Sequence, residues 1–136
     1  MLSNTTGDNN TSVGRDAMQQ NTTGASNTAL GSLALDANTT GASNTAVGRD
    51  ALGANTTGYD NIAIGYNSLV ANTTGNRAVA IGKGAAQNIT TAPHNVAVGF
   101  EALSSATTAQ DNVCVCLLYT SPSPRDATLS RMPSSA

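Results

Sequence analysis

The chain has few of the residues that usually build a large hydrophobic core. Its 136 residues include no Trp, one Phe and three Tyr. Charged residues make up 10% of the chain, against about a quarter in an average soluble domain. A compact core of large side chains cannot be assembled from this composition. We therefore expect a narrow core of Val, Ile, Leu and Ala that is repeated along the chain.

The low charge also excludes several classes of partner. The formal net charge is −2, and the basic residues before position 116 are scattered, so no nucleic-acid interface is predicted. No apolar run approaches the ~20 residues that a membrane helix needs.

Of the two cysteines, Cys114 falls in a column of small residues that includes Ser12 and several alanines. It is interpreted as a small buried residue, so we predict neither a metal site nor a disulfide framework from the Cys114–Cys116 pair.

One 17-residue unit is abundant instead, and it recurs from the first residues to about Val115. Asn-Thr-Thr-Gly begins at Asn4 and returns every 17 residues, at Asn21, Asn38, Asn55 and Asn72. A fixed period of this length indicates stacked repeats. Asn, Thr and Gly are poor helix formers, and a disordered chain would not keep its aliphatic columns in phase.

Aliphatic and small residues alternate in the segment that follows each Asn-Thr-Thr-Gly, for example Asn44–Gly48. Side chains alternate between two faces of a strand. We expect the β-branched face to point inward and the small column to be covered by another part of the coil or by another chain. The glycine that ends the segment predicts positive φ or close backbone approach. The structural columns are Val47, Ile64, Ile81 and Val98 on the first face, Ala46, Ala63, Ala80 and Ala97 on the second, and Gly14, Gly31, Gly48, Gly65, Gly82 and Gly99 after the strands.

The repeat thus predicts an all-β fold, a β-solenoid of about seven 17-residue coils. Each coil would contain two short strands and two turns, and one larger inward apolar residue such as Leu52. The Asn and Gly of Asn-Thr-Thr-Gly supply turn chemistry, and its threonines suit the second strand. Coils would stack at about 4.8 Å. One thin coil barely offsets an ordering cost of ~1–2 kcal/mol per residue, so we expect three identical chains to share one core as a homotrimer.

The positions just after the strand glycine differ most between copies. They are mostly polar, so we expect them to be exposed and to carry any recognition. The candidate variable surface consists of Arg15, Arg49, Tyr66, Lys83 and Phe100. In the same region Asp16 and Asp50 stand beside arginines, which predicts surface ion pairs that contribute little stability.

No catalytic, cofactor-binding or metal-binding residue is predicted, and we expect a protein that is not an enzyme. His94, beside Pro93, is interpreted as a solvated turn residue, and the carboxylates lack a paired arrangement in a cleft. An ice-binding solenoid is an alternative, because threonine ladders can bind ice. The two threonines of each repeat are adjacent, however, and therefore give only one column per face.

Two segments resemble a known family. Asn61-Ile-Ala-Ile-Gly65 and Ala78-Val-Ala-Ile-Gly82 resemble the head repeat of trimeric autotransporter adhesins of the YadA type. The longer unit is similar to repeats of phage and bacterial tail-fibre-like proteins. The resemblance covers residues 1–115 and implies a trimeric left-handed β-roll at an outer-membrane surface or in a virion tail fibre. It implies a structural or adhesive role and possible binding to a host cell surface or matrix. From the residues themselves we expect no nucleic acid and no cofactor as partner, and no membrane contact in this fragment. A pure spacer is a second interpretation.

The columns stop at Cys116. Residues 116–126 and 130–136 resemble the two blocks of a translated transposase-type sequencing adapter, separated by a gap of barcode size. We therefore expect residues 116–136 to be a non-native, disordered tail and residues 1–115 to be a solenoid fragment that is open at both ends.

Overall fold

A computed structural model describes residues 3–115. This part of the chain is an all-β parallel solenoid of about six turns, and it contains no helix. The tail predicted for residues 116–136 lies outside the described residues. One sheet runs the length of the solenoid in chain order. Its strands are β1 (Thr11–Val13), β2 (Thr28–Leu30), β3 (Thr45–Val47), β4 (Ile62–Ile64), β5 (Val79–Ile81), β6 (Val96–Val98) and β7 (Val113–Val115).

Each strand pairs in parallel with the same segment of the next repeat. Ala46 is aligned with Ala63, and Val47 with Ile64, and the same register holds from β1 to β7. The glycine column continues the ladder, because the Gly48 N–H donates to the Leu30 carbonyl at 2.8 Å. Coil-on-coil stacking at the repeat length is therefore confirmed, and so is the all-β solenoid.

The second strand predicted in each coil is wrong, because the Asn-Thr-Thr-Gly segments form bends. The N–H groups of Thr39, Thr40 and Gly41 converge on one acceptor, the Thr56 carbonyl, at 3.0, 3.2 and 3.3 Å. A strand ladder instead distributes its hydrogen bonds over successive partners. Each coil thus has one three-residue strand, and this segment is a sharp bend that closes the coil.

The orientation predicted for the strand faces is also wrong. Ala46, Ala63, Ala80 and Ala97 are fully buried inside their own coil, whereas Ile64 and Ile81 are each 38% exposed. Val47 and Val98 are half-buried on the same outward face. The cause is the width of the coil. Its interior already holds one larger side chain per turn, Met18, Leu35, Leu52 or Leu69, which leaves room for only a methyl group on the sheet wall.

Left-handed backbone corners make so short a coil possible. In the coil of β3 they fall at Ser43, Asp50 and Leu52, with φ of 58°, 57° and 52°. A residue with a Cβ loses roughly 1 kcal/mol or more in this conformation. At Leu52 the loss is offset, because the corner directs a leucine side chain into the core, where it is fully buried. The equivalent residues of the other coils also have positive φ; they are Met18, Leu35, Leu69, Ala86 and Leu103.

Candidate functional site

The interior of the solenoid contains a buried ladder of asparagines. The Asn38 amide nitrogen donates to the Asn21 side-chain oxygen at 2.8 Å and to the Gly41 carbonyl at 2.9 Å. In the next coil the Asn55 amide nitrogen donates to the Asn38 side-chain oxygen at 2.8 Å. A second ladder lies just before the strands, where the Asn44 amide donates to Asn27 at 3.1 Å and to the Gly58 carbonyl at 2.8 Å. Both ladders cross the coil boundaries and fix the bends.

The ladders end without leaving a buried group unpaired. Where Ile89 replaces asparagine, the Asn72 side-chain oxygen accepts the Gly75 N–H at 3.1 Å. Where Ala78 does so, the Asn61 oxygen accepts the Ala78 N–H at 3.0 Å. Within residues 3–115 no buried side-chain nitrogen or oxygen lacks a partner. The interior is therefore saturated and offers no polar group to a ligand.

Sequence reasoning missed these ladders because it assigned the asparagine of Asn-Thr-Thr-Gly to a turn and gave no role to the asparagine that precedes each strand. The available signal was the near-invariance of two asparagine columns, which a solvated turn does not require. The ladders also bear on N-glycosylation, because Asn-Thr-Thr matches the acceptor sequence Asn-x-Ser/Thr. Asn21, Asn38, Asn55 and Asn72 are fully buried with bonded amides, so a glycan cannot be attached to them in the folded coil.

Outside the coil, the first and third residues of every strand form one continuous face, here called the outer stripe. From β4 onward all its members are aliphatic. Ile62 is 39% exposed and Ile81 is 38% exposed, and in the earlier coils Leu30 is 48% exposed. No charged residue belongs to the stripe. It comprises Thr11, Val13, Thr28, Leu30, Thr45, Val47, Ile62, Ile64, Val79, Ile81, Val96, Val98, Val113 and Val115.

One edge of the outer stripe, here called the downstream rim, is formed by the residues that follow the strand glycines. All five predicted variable residues lie there, exposed and in one column: Arg15, Arg49, Tyr66, Lys83 and Phe100. Their heads stack between coils. The Arg49 guanidinium carbon lies 5.4 Å from the Tyr66 ring centroid, and the Lys83 nitrogen lies 6.0 Å from that ring and 5.4 Å from the Phe100 ring.

The charges of the downstream rim are only partly paired. Arg49 contacts Asp50 at 2.8 Å, and Arg15 contacts Asp16 at 3.7 Å. These are the predicted surface ion pairs. Within the described residues Lys83 has no carboxylate within ion-pair distance. The rim therefore presents alternating cations and rings, a combination in which each aromatic face attracts the cation above or below it.

The opposite edge, here called the upstream rim, precedes the strands and was missed by sequence reasoning. Tyr59 lies 5.6 Å from the Arg77 guanidinium carbon. Further along, the His94 imidazole nitrogen Nδ1 lies 3.1 Å from an Asp111 carboxylate oxygen. His94 is exposed at a corner with φ of 59°, which agrees with the turn predicted for it. The signal for this rim was column variation, since Ala25 and Ala42 give way to Tyr59 in the following repeat.

The two threonine columns differ in their availability to solvent or a ligand. The hydroxyl of the first threonine in each pair is used inside the wall; Thr39 Oγ1, for example, donates to the Thr56 carbonyl at 3.0 Å. The second threonine of each pair, such as Thr40 or Thr57, is exposed. One free threonine column thus remains on this side of the solenoid.

Among residues 3–115, the His, Cys, Asp and Glu side chains do not form a cluster. The pKa of Asp36 is raised, first by burial and then by the nearby charges of Asp50 and Asp16, while the backbone amide of Ala37 opposes the rise. Among residues 3–115 no group of three or more His, Cys, Asp or Glu side chains could hold a metal ion. The geometry is thus that of a saturated coil with a patterned outer surface.

Comparison of the chain with protein-family models, with curated proteins and with solved structures finds no match. The part of the chain that the structure describes has no helix of the length and apolarity needed to cross a membrane. The case for function therefore depends on the outer stripe and its two rims.

Proposed function

We propose that residues 1–115 form a non-enzymatic module of a homotrimeric fibre, in which three left-handed coils pack their outer stripes around a common axis. The fibre would belong to an adhesin head at a bacterial outer membrane or to a virion tail fibre. One observation carries the proposal, namely the outer stripe, which remains exposed after the coil has filled its own interior. It replaces the alanine column as the face that other chains cover.

The energetics of the stripe favour assembly. Complete burial of a Val or Ile side chain contributes about 1.5–3 kcal/mol. Ile62, Ile64 and Ile81 are still 38–39% exposed, so covering each would add roughly 1 kcal/mol. Soluble monomers rarely expose long continuous apolar patches. An uncharged stripe along every coil therefore supports an obligate interface, and the resemblance to YadA-type heads supports three chains.

The rims support an adhesive role over that of a pure spacer. A spacer needs only the repeated columns, whereas Arg49, Tyr66, Lys83 and Phe100 differ from coil to coil while the wall beneath them stays constant. Binding of the isolated assembly to host cells or extracellular matrix tests this role. Loss of binding on replacing Tyr66 and Phe100 by Ser, the residue at position 32 in the same column, would support adhesion if sedimentation shows that the variant is still a trimer and disulfide trapping shows that its chains are still aligned. Absence of binding by the unaltered protein would favour the spacer.

Ice binding stays an alternative with weaker support. Ice-binding surfaces present regular hydroxyl arrays, but the Thr39 and Thr56 hydroxyls are engaged by backbone carbonyls of the next coil. Only the column of Thr40 and Thr57 is left free. A thermal-hysteresis measurement separates the two functions, because a fibre module should show none.

Sedimentation equilibrium of the full chain tests the assembly on which the proposal depends. We expect a single species of three times the 13.6 kDa chain mass across a wide concentration range. A matched variant, Ile62→Asp with Ile81→Asp, places two charges on the stripe without altering the interior, and it should prevent the trimer. A folded monomer of the unaltered chain would contradict the proposal.

A further inference from the structure

The outer stripe fixes only weakly how far one chain is displaced along another, because its first residues change once, from Thr45 to Ile62, and its third residues are aliphatic in every coil. Its residues recur in every coil, so a shift by one coil, about 4.8 Å, brings Ile64 to the height of Val47 or Ile81. These side chains differ by at most one methyl group, worth about 0.8 kcal/mol. A repeating strand face of this kind specifies register only weakly. Three chains joined by the stripe alone would therefore assemble in several registers.

The rims, unlike the stripe, differ strongly from one coil to the next. On the downstream rim each step of one coil changes the residue type, from Arg49 to Tyr66, to Lys83 and to Phe100. A displacement by one coil would thus exchange a cation for an aromatic ring at each level from Arg49 to Phe100. All aromatic residues among residues 3–115 lie on the two rims, and so do all four Arg and Lys residues of that range.

Cyclic symmetry brings the two rims together. If three stripes face a common axis, the downstream rim of each chain meets the upstream rim of its neighbour, as in any heterologous ring contact. The two edges are chemically complementary. The downstream rim carries exposed Lys83, which has no carboxylate within ion-pair distance among residues 3–115, and exposed Arg15 and Arg49, each beside an aspartate of its own chain. The upstream rim carries exposed Asp8 and Asp60. Tyr59 and Arg77 add a ring and a cation that can pair with their counterparts across the interface.

We infer that contacts between the downstream rim of one chain and the upstream rim of a second copy select the axial register of the fibre. This inference rests on the trimer proposed above. The stripe supplies the affinity, and the rims exclude displaced alignments, because a displaced chain places cations opposite cations and leaves rings without partners. The partner is thus a second copy of this chain, bound in only one of the axial registers that the stripe would allow.

A rim-neutral variant tests the inference with residues that the chain itself uses in the same columns. It combines Arg15→Ser, Arg49→Ser, Tyr66→Ser, Lys83→Ser and Phe100→Ser, after the example of Ser32, with Asp8→Ala, Tyr59→Ala, Asp60→Ser and Arg77→Ser, after Ala25 and Ser26. Neutralising each rim separately gives two milder variants, should the full combination fold poorly. The control replaces the exposed Thr40, Thr57, Thr74 and Thr91 by Ser, away from the stripe.

Disulfide trapping reads the register. In a background with Cys114→Ala and Cys116→Ser, chains with V47C and chains with I64C carry different tags and are mixed before folding. Both sites lie on the stripe, close to the proposed axis. Like-with-like disulfides report aligned chains, and a disulfide between V47C and I64C chains reports a shift by one coil, since disulfides need Cα atoms about 4.4–6.8 Å apart.

With native rims and in the control we expect like-with-like products only. With neutral rims the V47C–I64C product should rise several-fold to a yield comparable with the aligned one, while sedimentation still gives a trimer. A trimer that keeps like-with-like products without its rims would overturn the register inference alone. A monomer in sedimentation would overturn the proposed function, and the inference with it.

Discussion

The inner and outer walls of the same sheet reverse the usual relation between side-chain size and burial. On the inner wall Ala63 is fully buried, while on either side of it in the chain Ile62 and Ile64 are 39% and 38% exposed on the outer wall. In ordinary domains the larger aliphatic residue is the buried one. A 17-residue coil is too narrow for that arrangement. The difference teaches that in this sheet the small residues face the coil's own interior, while the larger aliphatic residues lie at the surface, where the proposed trimer would cover them.

The two walls also differ in how they use polar groups. The interior accepts polar side chains only as complete ladders, as for Asn38 between Asn21 and Asn55. The outer surface accepts unpaired ones, such as Lys83 between two rings. Because an unpaired polar group costs much more when buried than when exposed, substitutions of equal size should have very different effects on the two sides.

The largest effect is expected where the sheet turns at the strand-end glycine. Gly48 has a φ of 132°, and a Cβ there would lie 2.6 Å from the Gly65 carbonyl oxygen. Gly48→Ala combines backbone strain with overlap and should lower the free energy of unfolding by about 4 kcal/mol or more, measured by urea denaturation. Gly53→Ala is the control. Its column holds Asp36 and Val70 in neighbouring coils, so a small change is expected, and equal losses would contradict the argument.

The second-largest loss of stability is expected in the buried asparagine ladder. Asn55→Ala removes the donor to Asn38 and to the Gly58 carbonyl, and it removes the acceptor of the Asn72 amide. We expect a loss of about 2–4 kcal/mol. Thr57→Ala, two residues away and exposed, should change stability by less than about 0.5 kcal/mol. Urea denaturation of both variants measures the difference, and a loss at Asn55 no greater than at Thr57 would refute the structural role of the ladder.

A matched pair of substitutions addresses the wall comparison directly. Ala63→Val adds two methyl groups to a full interior and should cost about 1–3 kcal/mol. Ile64→Val removes one methylene from the outer wall and should cost at most about 0.8 kcal/mol, and only where chains associate. Thermal unfolding at two protein concentrations separates these cases, because the second effect depends on assembly. If Ile64→Val lowered the stability of a dilute monomer more than Ala63→Val, the proposed difference between the two walls would be wrong.

The smallest effect concerns the pH dependence of Asp36. Its pKa is raised above 3.8 in the folded coil, so the folded state holds the proton more tightly and stability falls as pH rises through that window. Asp36→Asn should therefore stabilise the protein at neutral pH, and the gain should vanish below pH 3.8, where both states are protonated. The carboxyl is half-exposed, so solvent screening limits the gain to a few tenths of a kcal/mol.

Thermal unfolding from pH 3 to 7 measures this dependence. Asp8→Asn removes the same formal charge from an exposed site and controls for the change in net charge. A stabilisation by Asp36→Asn that stays the same across the whole pH range would contradict the assigned cause.

The repeat columns were sufficient to predict the solenoid, its coil length and the strand positions. They could not predict which strand face points inward, because period-two alternation separates Ala63 from Ile64 without orienting either. The correct orientation depends on the width of the coil, which is set by left-handed corners such as Leu52, and a leucine gives no local signal for that conformation. The asparagine ladders and the upstream rim were missed because turn chemistry and sequence variability already accounted for those residues.

The interruption of both asparagine ladders has a mechanical consequence. Every described coil boundary before the one between β5 and β6 is crossed by an Asn–Asn side-chain bond, and at that boundary Ile89 and Ala78 leave none within residues 3–115. A fibre pulled from its two ends loads its boundaries in series, and this boundary has backbone bonds and the Asn88–Ser104 bond but no bond of either asparagine ladder. Under tension this rod should therefore open between the coils of β5 and β6, and the severed pieces would each keep their own ladders.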